Sequence, residues 1–175
     1  NLGQDLPILL KNQMSVVATS DAGNGVGYTG FRIRGSAGTS INVMLNGVPY
    51  NDSESQGTFF VNIPDMASSA SQIVIQRGVG TSSNGTASFG ASVNILTKNP
   101  DEKPYVLGQF SAGSFNTMKT SFEAGSGKFL NNLLSVSARY STINSDGYID
   151  RAFSKLNSYN INALFEKGNT KLRFL

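Results

Sequence analysis

The feature that most constrains this chain is a strict period of two in its second half. In NLLSVSARYSTI, Leu134, Val136, Ala138 and Tyr140 alternate with Ser135, Ser137, Arg139 and Ser141, so a strand there has one apolar and one polar face. TMKTSFEAG sets Met118, Thr120, Phe122 and Ala124 against Thr117, Lys119, Ser121 and Glu123. SYNINALFEK sets Tyr159, Ile161, Ala163 and Phe165 against Ser158, Asn160, Asn162 and Leu164. A soluble antiparallel sheet with one wet face alternates in the same way. Three details favour strands that cross a bilayer, with lipid outside and water inside. The segments exceed the ~5–6 residues of a common soluble strand. Their apolar faces carry Tyr140, Tyr159 and Phe165, as interfacial girdles do, and short connections (GSGK, KGN) alternate with the longer NSDGYIDRAFSK. TKLRFL reads as a further strand, which makes roughly four or five, too few to close a barrel, so the chain is expected to be part of a larger protein.

Residues 1–98 follow a different grammar, that of a small mixed α+β unit. Leu6, Leu9 and Leu10 define a short helical face. GFRIRG and INVMLNGVPYND are short strands, the second broken by the Asn46-Gly47 turn signal. Pro64 and Asp65 open a short helix over Met66 to Ala70, Ile73 to Gln76 is a strand, and Val93 to Thr97 is another. Between the last two, residues 79–92 form a loop of small residues. KNPDEKP, residues 98–104, is charged, holds two prolines and lacks apolar periodicity, which marks a linker.

Composition narrows the chemistry. The 175 residues include no Cys and no His, which removes disulfides, thiolate metal sites and the usual catalytic base. The net charge of +3 is scattered, with five basic and five acidic groups before residue 99 and nine and six after it, too weak for a nucleic-acid footprint. No apolar run approaches the ~18 residues of a helical membrane span. The glycine-rich RGVGTSSNG has no following Gly-Lys-Ser/Thr and leads into a strand, whereas phosphate loops require a helix N-terminus. Its glycines are read as supplying positive φ and close backbone approach. Asp52 and Glu54 suggest paired carboxylates for acid–base work, but without His, a Lys partner or a convergent cluster they make a poor case for an enzyme. No catalytic residue, metal or cofactor is expected.

Two groups remain as binding candidates. YNDSESQGTFF brings Asn51, Asp52, Glu54 and Gln56 beside Phe59 and Phe60, an amphipathic recognition surface if the loop lies in a protected vestibule. Arg32, Arg34 and Arg77 lie on or beside strands and need carboxylate partners, which an enclosing wall would supply.

These motifs together resemble a TonB-dependent outer-membrane receptor, as its plug domain plus the first barrel strands. FRIRG (31–35) matches the plug's Ile-Arg-Gly signature, NVMLNGVPYND (42–52) its hairpin, and QIVIQRG (72–78) its Arg-Gly strand. NGTASFGASVNILTK (84–98) resembles the closing segment, with Asn84 and Ala91 where the common pattern has Tyr and a second Gly. That variant resembles Bacteroidetes-type receptors for metal chelates or cobalamin, and phrases typical of glycan-importing SusC-like members are missing.

The resemblance implies a plug at 1–98, a linker at 99–104 and barrel strands from 105 to 175, in a barrel of roughly 22 strands spanning the outer membrane of a Gram-negative cell. It implies import of a scarce nutrient, a ferric siderophore or other metal chelate first, with cobalamin, haem, glycan or peptide as alternatives. TonB with its inner-membrane motor, the ligand, outer-membrane lipid and a surface lipoprotein are the implied partners, and coupling to TonB is implied by the family, since no TonB box is displayed in these residues. By position in the family pattern, residues 51–60 and the loop at 36–40 are apical ligand contacts, and Tyr148 lies on an extracellular loop. Arg34 and Arg77 resemble plug arginines that lock onto wall glutamates, and the glycine-rich stretch becomes a plug loop in the lumen. A receptor that also signals to an anti-sigma factor, or a soluble β-rich binding or adhesion domain, are the competing readings.

Overall fold

A computed structural model describes residues 2–79 and 88–175. Its elements are α1 (Leu6–Leu9), β1 (Val16–Ser20), β2 (Thr29–Ile33), β3 (Ile41–Leu45), β4 (Val48–Pro49), α2 (Met66–Ser69), β5 (Ala70–Arg77), β6 (Ala91–Thr97), β7 (Pro104–Gly113), β8 (Thr117–Phe129), β9 (Leu134–Ser145), β10 (Ser154–Lys167) and β11 (Thr170–Phe174). They form three sheets: the hairpin β1–β2, a four-stranded sheet ordered β4-β3-β6-β5, and a five-stranded meander β11-β10-β9-β8-β7.

In the first unit β3 runs parallel to β6, while β4 and β5 pair antiparallel at the edges. The β3–β4 turn places Asn46 at φ 52 and Gly47 at φ 82, the two left-handed residues that an Asn-Gly hairpin turn demands. Strands β3 and β6 are covered on both faces, with Ile41, Val43, Ala91, Val93 and Ile95 buried on one and Asn42, Met44 and Ser92 on the other. Leu6, Leu10, Phe31, Ile33, Phe60 and Met66 complete that core. Leu6 and Leu10 face inward, but Leu9, read from the sequence as sharing their face, is exposed because α1 is a single turn, too short to carry a continuous apolar stripe. Strand β1 escaped the sequence reading: a five-residue element with one buried side chain carries little periodicity.

In the meander the burial pattern is inverted relative to a soluble sheet. Thr117, Lys119 and Ser121 of β8, and Ser135, Ser137, Arg139, Ser141 and Ser145 of β9, are buried, as is Asn162 of β10. Their apolar neighbours Met118, Phe122, Tyr140, Tyr159 and Ile161 are exposed. The polar face lies on the first unit, and the apolar face has no protein cover. Strands of 10, 13, 12 and 14 residues run through β7 to β10, long enough for tilted membrane crossings of ~9–11 residues. Tyr140 and Tyr159 are register partners with ring centroids 5.0 Å apart on the apolar face. Among the described residues, no helix is long and apolar enough to cross a membrane.

GSGK, read from the sequence as a short connection, lies inside β8. The register with β9 shifts between Gly125 and Lys128, with Gly127 at φ 68, so the glycines make a bulge. The turn comes later, at Leu130, Asn131 and Asn132, all with positive φ.

Candidate functional site

Among the described residues, a dense polar cluster lies in the seam between the first unit and the meander. Asp65 precedes α2 with φ 55 and ψ 24, a left-handed conformation that Asp tolerates. Its side chain does not cap the backbone of the helix. It points across the seam, where Lys119 Nζ lies 2.5 Å from Oδ1 and Arg139 Nη1 2.5 Å from Oδ2. Arg139 Nη2 also donates to the Asp65 carbonyl at 3.1 Å and to Ser69 Oγ at 2.6 Å. Lys119 Nζ donates to Ser68 Oγ at 2.8 Å, and Ser68 Oγ donates to Asp65 Oδ1 at 2.6 Å. Asp65, Lys119 and Arg139 are 1%, 3% and 7% exposed, so water does not screen the cluster. Burial acts to raise the Asp65 pKa, but the bonds from Lys119 and Ser68 and the two nearby cations outweigh it and hold the carboxyl below its ordinary value.

A second clamp closes the same seam further along. Arg173 of β11 donates to Thr97 Oγ1 at 2.6 Å, to Thr97 O at 3.0 Å and to Lys98 O at 2.7 Å, holding the end of β6. At the other end of the wall, Asn24 Nδ2 donates to Ser145 Oγ at 2.5 Å and Tyr148 N to Ala22 O at 2.9 Å.

The predicted recognition loop divides into framework and rim. Asn51 accepts from Val43 N at 2.7 Å and donates to Ile41 O at 2.9 Å and Gln56 O at 2.7 Å, so its amide is spent pinning the loop to β3. Phe60 is 3% exposed and stacks at 5.4 Å on Phe31 in the core. Its expected place on a contact surface is thereby corrected, because of two adjacent phenylalanines one turns in and one out. Asp52 accepts from Ser55 N at 2.7 Å, Ser55 Oγ at 2.8 Å and Glu54 N at 3.1 Å, bonds that hold its carboxyl below the usual range. Asp52, Glu54, Gln56 and Phe59 are the exposed members. Gln56 takes φ 57 and donates from Nε2 to Ser53 O at 3.0 Å, which fixes the rim locally.

Tyr148 sits on the β9–β10 connection, 69% exposed, edge-on to Phe115 at 5.4 Å. Arg34 follows β2 with φ 51 and is exposed, and Arg77 ends β5 half-buried with its Nε unbonded. Among the described residues neither makes an ion pair, and the plug–wall pairs that do form have the opposite polarity, with the acid on the first unit and the cations on the wall. Most of the glycine-rich loop, residues 80–87, lies outside the described residues. At its end Gly90 N donates to Ser40 O at 2.8 Å, and a Cβ on Gly90 would overlap the Ser36 side chain. Close backbone approach requires glycine there.

Asp65, Lys119, Arg139 and Arg173 escaped the sequence reading as a group. The signal was present in part: Lys119 and Arg139 stand on polar strand faces, where a buried cation needs an acid. Asp65 gave none, since Pro-Asp before a short helix reads as a start signal.

Among the described residues no three His, Cys, Asp or Glu side chains gather to hold a metal ion. A small α+β domain docked by buried ion pairs on the polar face of an antiparallel wall, whose outer face is apolar, defines the class of plugged outer-membrane barrels. Residues 3–92 match the family model of the TonB-dependent receptor plug domain, and the chain belongs to that family. Membership places the protein in the outer membrane. The fold is similar to that of the pyoverdine outer membrane receptor FpvA from Pseudomonas aeruginosa, with a TM-score of 0.74 and 16% identity over 98% of this chain and 24% of that one. It is also similar to the FrpB iron transporter from Neisseria meningitidis, with a TM-score of 0.70 and 18% identity over 95% of this chain and 27% of that one. The copper transporter OprC gives a TM-score of 0.72 and 14% identity over 95% and 26%. The chain thus spans about a quarter of the length of these structures. No curated protein matches the sequence.

Proposed function

We propose that the chain is the plug and first wall strands of a receptor that captures a scarce nutrient at the cell surface and passes it to the periplasm under the drive of TonB. The cargo is a ferric siderophore or other metal chelate. The observation that carries the reading is the inverted meander, whose polar face is buried on the plug and whose apolar face is left for lipid. The division into plug at 1–98, linker at 99–104 and wall from 105 to 175 follows the gap between Thr97 and Pro104. Chemistry on the cargo is not part of this role, and Asp52 and Glu54 act as loop framework and rim. The metal-related names of the similar structures, pyoverdine receptor, iron transporter and copper transporter, support a chelate over cobalamin, haem, glycan or peptide. A soluble adhesion domain would leave Phe122, Tyr140 and Tyr159 in water.

In this reading Asp52, Glu54, Gln56 and Phe59 form the floor of the ligand site, and Tyr148 belongs to an extracellular loop above it. Arg34 and Arg77 lock onto acids of wall strands beyond the five described. The test is equilibrium binding of ferric siderophores, haem and cobalamin to the full-length receptor in detergent, repeated with Gln56→Ala and Phe59→Ala. Saturable chelate binding that weakens in both variants is expected. A folded barrel that binds none of them would overturn the cargo class.

A further inference from the structure

Two cationic side chains meet one carboxylate at the seam, and the ownership is unequal. Lys119 and Arg139 belong to β8 and β9, whose long ladder holds them in place whatever the plug does. Asp65 belongs to the plug, immediately before a single-turn helix. Each cation takes a separate oxygen of the carboxylate, Lys119 on Oδ1 and Arg139 on Oδ2, a cradle shaped for a planar two-oxygen anion. Beside it a cavity of about 610 Å³ runs between plug and wall, lined by Ser68, Ser69, Arg139 and Asn162 together with the carboxylates Asp101 and Glu123. Two polar atoms on this lining are buried without a hydrogen-bond partner, Arg139 Nε and Asn162 Oδ1.

A plug that shifts away from the wall takes Asp65 with it and leaves Lys119 and Arg139 without their counter-charge. Buried charges left without a counter-charge are costly, and Glu123, opposite Arg139 across β8 and β9, is engaged by the Tyr105 hydroxyl, so an incoming anion completes the pair. We propose that Lys119 and Arg139 form an anion site on the inner wall, which Asp65 fills in the closed state and a carboxylate or similar two-oxygen anion of the cargo fills when the plug is displaced. The plug carboxylate is thus an internal stand-in for the passing ligand. The identity of that ligand rests on the importer reading; the site itself does not.

The test uses the full-length receptor and acetate as the probe. In Asp65→Gly the left-handed backbone at position 65 suits glycine, and a carboxylate-sized space opens between the two cations. Acetate, against chloride at equal ionic strength, is expected to raise the Tm of Asp65→Gly along a saturating curve. The parent protein and Asp65→Gly/Lys119→Gln/Arg139→Gln are expected to show no such rise. If Asp65→Gly does not hold its fold in chloride, the same comparison is read as refolding yield, which acetate restores and chloride does not. Asp65→Asn, which keeps the shape of the native residue, serves as the control and gains nothing from acetate. Equal acetate effects in all variants, or none in Asp65→Gly by either readout, would overturn the proposal. A receptor that binds chelate but ignores acetate loses the wall site alone, whereas one that takes acetate but binds no chelate keeps the site and loses the importer reading.

Discussion

Glu123 and Arg139 are direct register partners across β8 and β9, and they form no ion pair. Arg139 turns to Asp65 of the plug, while Glu123 accepts a hydrogen bond from the Tyr105 hydroxyl at 2.6 Å. A cation that forgoes the acid on the neighbouring strand for one across the seam ties wall to plug. Asp65→Asn leaves Lys119 and Arg139 facing a neutral amide, which is expected to cost about 3–5 kcal/mol of docking stability. The full-length variant should admit a bulky antibiotic that the parent receptor excludes, and unchanged permeability would contradict the role given to the seam.

Gly90→Ala tests packing in the plug. A methyl there overlaps Ser36, and Gly90 N is already committed to Ser40 O at 2.8 Å, so the strand start has no room to retreat. The expected cost is about 1–3 kcal/mol, read as a lower urea midpoint for plug unfolding. Ser36→Gly in the same chain should restore part of it.

The two faces of β8 give a third prediction. Phe122 is exposed on the apolar face, and Phe122→Arg places a charge in lipid, expected to cost about 2–4 kcal/mol near the midplane. Phe122→Leu should be close to neutral. Urea unfolding from lipid vesicles compares the two.

Asp5 supplies a pH dependence. It is 3% exposed, accepts from Thr29 Oγ1 at 2.9 Å through Oδ2, and has no partner at Oδ1. Burial raises its pKa from 3.8 to about 6, more than the bonds from Thr29 and Gly27 lower it. The folded state therefore holds a proton that the unfolded state has released, and the contribution of Asp5 to stability falls as pH rises from about 4 to about 6. Asp5→Asn should flatten that segment of the stability-against-pH curve, measured by urea midpoints at each pH. A slope unchanged by the substitution would show that other groups set it.

Much of the architecture was legible because period-two alternation and turn chemistry act locally. The inward Ser and Thr rows of β8 and β9, the Asn46-Gly47 turn and the strand ending at Arg77 each follow from neighbours in sequence. What was not legible depends on distant partners. Phe59 and Phe60 are chemically identical, and only the position of Phe31 decides which is core. Asp65 reads as a helix opener until Arg139, 74 residues away, draws its side chain across the seam. GSGK looked like a turn because a glycine bulge and a turn use the same residues, and only the β8–β9 register separates them. Asn84, which with Ala91 carried the likeness to Bacteroidetes-type receptors, lies outside the described residues.

The central claim is that residues 104–174 form a wall with lipid on one face and the plug on the other. The most direct test places single spin labels at Phe122, Tyr140 and Ile161, and at Ser121, Ser137 and Ser141, in the full-length receptor in bilayers, and compares accessibility to oxygen and to a water-soluble nickel chelate. High oxygen and low nickel accessibility at the first three, with low values for both reagents at the second three, is the predicted result. Nickel accessibility at Phe122, Tyr140 and Ile161 would contradict the account.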